Sequence, residues 1–187
     1  MYAAAVDESA RVPVDARLDG RGGWEEFVEA SYPTIWRFCA ALAGRPAADD
    51  LAQETFLRAT GALPRFRGHA SGRTWILAIA RRVCMDELRG RYRRDRLDTR
   101  LAAVAHALPS AHDPTGAVAT RELLLDLEPD RRVAFVLTQL FQLSYEEAAT
   151  VCGCPVGTIR SRVARARDDL IALMGHGRAS HHRHAAE

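Results

Sequence analysis

Between Ser144 and Leu170 the sequence SYEEAATVCGCPVGTIRSRVARARDDL admits very few local structures. Ser144 followed three residues later by Glu147 is a capping box, in which each side chain satisfies a backbone N–H of the other's residue and opens a helix. That helix has to be short, because Cys152-Gly153 follows and glycine readily takes the left-handed conformation that ends helices. Pro155 sits close to the start of a second helix, where its missing N–H costs little. A short helix, a glycine-containing turn of about four residues and a longer helix make up a helix-turn-helix. Projected at about 100° per residue, Val156, Ile159, Val163, Ala166 and Leu170 share one face of the second helix. Ser161, Arg162, Ala164 and Arg165 point the other way, with Arg160 on a flank. Arginines outside the apolar stripe suit a helix whose first half lies in a DNA groove. Asp168 and Asp169 come only after that half, where they no longer repel phosphate. A merely solvated arginine-rich face is the alternative reading of these residues.

The charge along the chain alternates in blocks. From Trp24 to Leu57 six acids face two arginines, a balance of −4; from Arg58 to Arg100 twelve arginines face four acids, a balance of +8. Residues 101–155 return to −4, with seven acids and three arginines. The overall +2 hides this asymmetry, which predicts separate surfaces for separate partners, the basic ones suited to phosphate. All 26 basic residues are arginine, whose guanidinium forks grip phosphates and guanine edges.

The apolar pattern is helical from Trp24 onward (Trp24, Phe27, Val28, Ile35, Phe38, Leu42), with Pro33 predicted to kink that segment or begin its second helix. A helix is expected from about 47 to 61, a glycine-bearing loop from 64 to 72, and a long helix from 74 to 94. Further helices are expected at about 119–127, 130–141, 144–151 and 156–174. No strand-like alternation persists, so the expected class is all-α: two small helical domains joined by a flexible linker. The boundaries read as a disordered extension over 1–22, a first domain over 23–95, a linker over 96–118, a second domain over 119–175, and a disordered His-rich tail over 176–187. In the 74–94 helix, Trp75, Ile76, Ile79, Ala80 and Val83 gather on one side and Arg81, Arg82, Met85 and Arg89 on the other. The loop before it could cradle unpaired nucleotides. The 47–61 helix carries Asp50, Gln53, Glu54 and Arg58 at helical spacing, an acidic face that would repel DNA and attract a basic protein surface.

No glycine-rich phosphate loop, metal-ligand spacing or nucleophile–base arrangement is present. No enzymatic activity, cofactor, metal or small-molecule substrate is therefore expected. Cys152 and Cys154, one residue apart with no histidine nearby, make a poor zinc half-site. With no stretch near the roughly 18 apolar residues of a membrane span and no signal-peptide pattern, the expectation is a cytoplasmic chain with reduced thiols and no membrane insertion.

Three segments, ADDLAQETFLRA, FRGHASGRTWILAIARRVCMDELR and LSYEEAATVCGCPVGTIRSRVARARDDL, resemble regions 2.2, 2.3–2.4 and 4.2 of bacterial extracytoplasmic-function (ECF) sigma factors of the sigma-70 family. Within that family the third segment looks like the sigma C type. The resemblance implies a promoter-specificity subunit that binds core RNA polymerase at the β′ clamp helices and the β flap. It implies polymerase contacts at Asp49, Asp50, Gln53, Glu54 and Phe56. It implies −10 DNA contacts at Phe66, Arg67, His69, Ser71, Arg73, Arg81, Arg82, Met85 and Arg89. Contacts to −35 DNA are implied at Thr158, Arg160, Ser161, Arg162, Ala164 and Arg165, with Arg162 and Arg167 nearer phosphates. An anti-sigma partner is implied as well. The chain departs from the family at Arg82, where the usual motif has asparagine, and at Ala164, where some relatives carry a bulky residue; both bear on promoter sequence. A stand-alone helix-turn-helix regulator is the competing reading, and it leaves the acidic helix and the 66–73 loop without a purpose.

Overall fold

A computed structural model of the chain describes residues 21–68, 70–101 and 122–184. Residues 1–20 of the predicted N-terminal extension and most of the predicted linker lie outside them, as does His69. All regular structure among the described residues is helical. The long elements are α1 (Arg21–Ala43), α2 (Ala48–Ala62) and α3 (Gly72–Leu101), then α4 (Pro129–Phe135), α5 (Tyr145–Cys152) and α6 (Val156–His184). Short 3-10 turns at Arg45–Ala47 and Leu63–Arg65 join the first three helices, and a π-helical turn over Val136–Leu140 continues α4.

Three elements differ from expectation for identifiable reasons. Helix α1 runs unbroken through Pro33: proline's fixed φ is already helical, and burial of the residues around it offsets the lost hydrogen bond and the crowding of its ring against the preceding turn. Ser31, Thr34 and Ile35 around it are all buried. Helix α3 continues past residue 94 to Leu101, into the segment expected to be linker; no Gly or Pro lies between Arg91 and Leu101 to stop it. Helix α6 likewise runs to His184, through the segment expected to be a disordered tail. No proline follows Pro155, and a glycine inside a helix costs only about 1 kcal/mol.

Helices α1, α2 and α3 form one three-helix module around Phe27, Ile35, Phe38, Leu42, Leu51, Phe56, Ile76 and Leu77. Helices α4, α5 and α6 form a second around Val133, Leu137, Ala148, Ile159 and Val163. The two are not separated: their buried side chains belong to one continuous apolar cluster. Phe141 of the second module sets its ring edge-on against Phe38 of the first, with centroids 5.4 Å apart and planes at 88°. A smaller cluster of Leu124, Leu127 and Ala166, with Phe135 and Leu170 against it, secures α6 to the turn before α4.

Buried arginine joins the modules. Arg132 of α4 is only 5% exposed. Its guanidinium donates to the carbonyls of Leu42, Leu125 and Leu127, the last at 2.9 Å. Arg91 of α3 donates to the carbonyl of Ala43 at 2.8 Å. Helix α1 has no basic residue in its own last turn, so its unsatisfied C-terminal carbonyls and negative dipole end are met by two cations from elsewhere in the chain. Burial pushes the Arg132 pKa down, and the nearby charges of Asp126 and Glu128 hold it up.

Candidate nucleic-acid and polymerase interfaces

The helix-turn-helix forms as its residues dictate. The Ser144 Oγ accepts from Glu147 N at 3.1 Å and the Glu147 carboxylate accepts from Ser144 N at 2.8 Å. Gly153 takes φ 63°, ψ 40°. Its N–H reaches the carbonyl of Thr150 at 3.3 Å, while Cys154 N reaches Ala149 at 3.1 Å. That pair of bonds is a Schellman motif, and it turns the chain from α5 into α6. Ile159, Val163 and Ala166 are then fully buried, which leaves Arg160, Ser161, Ala164 and Arg165 exposed on the opposite face. Thr158 is half-buried, and its carbonyl accepts from the Ser161 hydroxyl.

The projection misplaces Arg162. Its guanidinium turns inward and pairs with Asp130 in the first turn of α4, leaving 23% of the side chain exposed. Arg167 donates to the Gln139 side-chain amide at 2.9 Å. Asp169 pairs with Arg131 at 2.7 Å, so one of the two acids after the arginine run ties α6 to α4.

The second basic surface lies on α3 and the loop before it. Arg67, Arg82 and Arg89 are exposed, with Arg89 paired to Asp86 at 3.4 Å. Phe66 is half-buried and rests on Trp75 with ring centroids 4.9 Å apart. Ser71 caps α3 by accepting from Thr74 N at 3.1 Å. Met85, expected on the basic face, is 9% exposed and belongs to the core. Arg81 leans toward the second module and donates to Asp130 at 3.4 Å. Arg73 does the same, donating to the carbonyl of Phe141 at 2.6 Å.

Helix α2 presents Asp49, Asp50, Gln53 and Glu54 toward solvent. Glu54 accepts from Arg58 at 2.7 Å, and Asp49 accepts from the Tyr32 hydroxyl at 3.5 Å. Phe56 is not on that surface: it is 8% exposed and stacks on Tyr32 at 5.8 Å. The apolar residue that does protrude there is Leu57, 69% exposed. Sequence spacing could have found it, since Leu57 follows Gln53 and Glu54 by one helical turn on the polar face. Asp130, Arg132 and Phe141 were missed altogether. Besides the nearby carbonyls that Arg132 meets at Leu125 and Leu127, their partners lie between 32 and 103 positions away along the chain, and no local pattern reports such distances.

An acidic, apolar-tipped helix, a basic helix preceded by an aromatic loop, and a helix-turn-helix with exposed arginines are the features expected of a DNA-binding transcription factor that also docks on protein. The chain matches the family models of sigma-70 region 2 over residues 27–94 and sigma-70 region 4 over residues 117–170. It is 48% identical over 178 residues to the ECF RNA polymerase sigma factor SigC of Mycobacterium tuberculosis and to the probable sigma-C factor of Mycobacterium bovis, covering 92% of this chain and 95% of each relative. The sigma factor EcfG of Rhodopseudomonas palustris is 36% identical over 149 residues, 78% of this chain and 81% of its own length. The chain belongs to the ECF RNA polymerase sigma factors, the subunits that direct core polymerase to promoters.

Two solved structures share the fold. The sigma factor RpoE in complex with the anti-sigma factor NepR from Bartonella quintana superposes with a TM-score of 0.67 at 27% identity, over 83% of this chain and 98% of that one. CnrH in complex with the cytosolic domain of CnrY gives 0.64 at 25% identity, over 84% and 90%. No described helix is long and apolar enough to cross a membrane.

Proposed function

We propose the following division of work among the residues of this sigma factor. Asp49, Asp50, Gln53 and Glu54, with exposed Leu57 beside them, form the polymerase-docking face. Arg67, Arg82 and Arg89, with Phe66, Ser71, Arg73 and Arg81, form the −10 surface. Arg160, Ser161, Ala164 and Arg165 read the −35 major groove, with Thr158 and Arg162 at its edge. The observation that carries this reading is the segregation on α6: buried Ile159, Val163 and Ala166 behind four exposed residues, at the N-terminal half of the second helix of the helix-turn-helix. Such a subunit works by binding energy. Phosphate contacts set its register, and captured, splayed bases offset the cost of opening the duplex. It carries no catalytic group of its own and acts in the cytoplasm.

Run-off transcription with purified core polymerase, this chain and no other sigma factor tests the role. Initiation from a cognate promoter is expected; duplex binding without initiation refutes it in favour of a stand-alone regulator. Within that assay Arg165→Ala should cost about 1–3 kcal/mol of −35 binding and relax specificity at one position. An equal loss on every −35 sequence would make Arg165 a phosphate contact instead. Because the structural relative RpoE is bound to an anti-sigma factor, we also propose an inhibitory protein partner for this chain. Transcription unaffected by every candidate inhibitor counts against it.

A further inference from the structure

Trp24, in the first turn of α1, belongs to a chain of four aromatic rings that ends at the proposed −10 loop. On one side it stacks on Phe27, with centroids 5.7 Å apart and planes at 26°, and Phe27 is fully buried. On the other it meets Trp75 edge-on at 6.4 Å and 70°. Trp75, in the first turn of α3, carries Phe66 at 4.9 Å. All three separations fall in the range in which aromatic pairs attract. Trp24, Trp75 and Phe66 each keep part of their surface exposed, so the rings climb from the core to the surface.

The loop is tied at both ends and open between. At its start Phe66 rests on Trp75, and Phe66 N donates to the Leu63 carbonyl at 3.0 Å. At its end the Ser71 and Thr74 hydroxyls lie 2.9 Å apart, and Ser71 Oγ accepts from Thr74 N. Arg67 and Gly68 lie exposed between these ties. Gly68 takes φ 70°, and nothing beyond its chain neighbours lies within 4 Å of the point a Cβ would occupy. The place of the Phe66 ring is therefore set by Trp75, which Trp24 braces in turn.

We propose that Trp24 is a positioning residue for base capture: through Trp75 it holds the Phe66 ring ready to stack on a base of the unpaired −10 strand. Stacking on an aromatic ring is tolerant of base identity, so the ring supplies affinity for a splayed base rather than sequence choice. A ring already in place spares the strand the cost of ordering it, worth about two- to tenfold in affinity per side chain. Without Trp24, Trp75 loses the ring that meets it from α1, and Phe66 has to be ordered at the moment of binding. The inference rests on the assignment of Phe66 and its loop to the −10 surface.

The test uses holoenzyme assembled from core polymerase and the full chain. It is titrated with a −10 single strand of a promoter it transcribes, and with the same strand made abasic at each position in turn. Wild-type holoenzyme should lose affinity on removal of one particular base, and Phe66→Ala should erase that preference. If no abasic site matters, or Phe66→Ala leaves the preference intact, the −10 assignment fails and takes the inference with it. Given a sensitive base, Trp24→Ala should weaken binding of the intact strand about two- to tenfold and leave abasic-strand binding, carried by the arginines, unchanged. Trp24→Phe should restore most of the preference, because a ring again joins Phe27 to Trp75. Adding Trp24→Ala to Phe66→Ala should cost nothing more, since the two act in series. An undiminished preference in Trp24→Ala, equal losses on intact and abasic strands, additive losses in the double variant, or no recovery in Trp24→Phe overturns the role of Trp24 while leaving the −10 surface standing. Trp24→Leu keeps an apolar side chain against the core but no ring. It replaces Trp24→Ala if that variant does not assemble holoenzyme, and it should lose the preference in the same way.

Discussion

Replacing Arg132 with methionine probes the contact between the modules most directly. The guanidinium serves three carbonyls, those of Leu42 at the end of α1 and of Leu125 and Leu127 before α4. A hydrogen bond to a charged group is worth about 1.5–3 kcal/mol net, so three at the lower figure give roughly 4–5 kcal/mol. Methionine keeps most of the aliphatic stem and avoids burying a charge, which returns part of that sum. The expected loss is about 3 kcal/mol. With a urea m-value of about 2 kcal/mol/M, the unfolding midpoint should fall by about 1.5 M. The neighbouring Arg131→Met is the control. Its side chain meets Asp169 at the surface, where solvent screens the pair, so its unfolding midpoint should stay close to that of the wild type. Equal midpoints for Arg132→Met and the wild type would refute the reasoning, because desolvation would then cancel the three bonds.

Ser144→Ala removes one half of the capping box and should cost about 1 kcal/mol, read as a lower thermal midpoint; an unchanged midpoint would mean solvent replaces the cap. Asp50→Lys with Glu54→Lys reverses the face of α2 and should abolish core-polymerase binding in a pull-down while −35 duplex binding persists; retained polymerase binding would reassign that face. Of the four cysteines, Cys39, Cys84 and Cys152 are buried and Cys154 is half-buried. Burial pushes the Cys152 thiol up to about 11, so at pH 8 it stays protonated and unreactive, and thiolate would accumulate only as pH rises toward that value. A thiol reagent at pH 8 should therefore modify Cys154 first by mass spectrometry, and rapid modification of Cys152 would contradict the packing.

What the sequence determined is local. The Ser144–Glu147 box, Gly153, Pro155 and the 3.6-residue spacing of Ile159, Val163 and Ala166 specify the helix-turn-helix, because each acts within one or two helical turns. The same periodicity identified α1, α2 and α3, and the motifs identified the family. Only the tertiary structure decided which charged side chains remain available to a ligand. A helical projection sets Arg162 beside Arg165 and Arg81 beside Arg82, yet one of each pair faces solvent and the other meets Asp130. Phe56 and Met85 were drawn into the core by Tyr32 and the packing of α3, while Leu57 was left outside. These outcomes depend on partners tens of residues distant, brought near by burial of a common apolar cluster, and the energy that selects them resides in contacts that exist only after the helices pack.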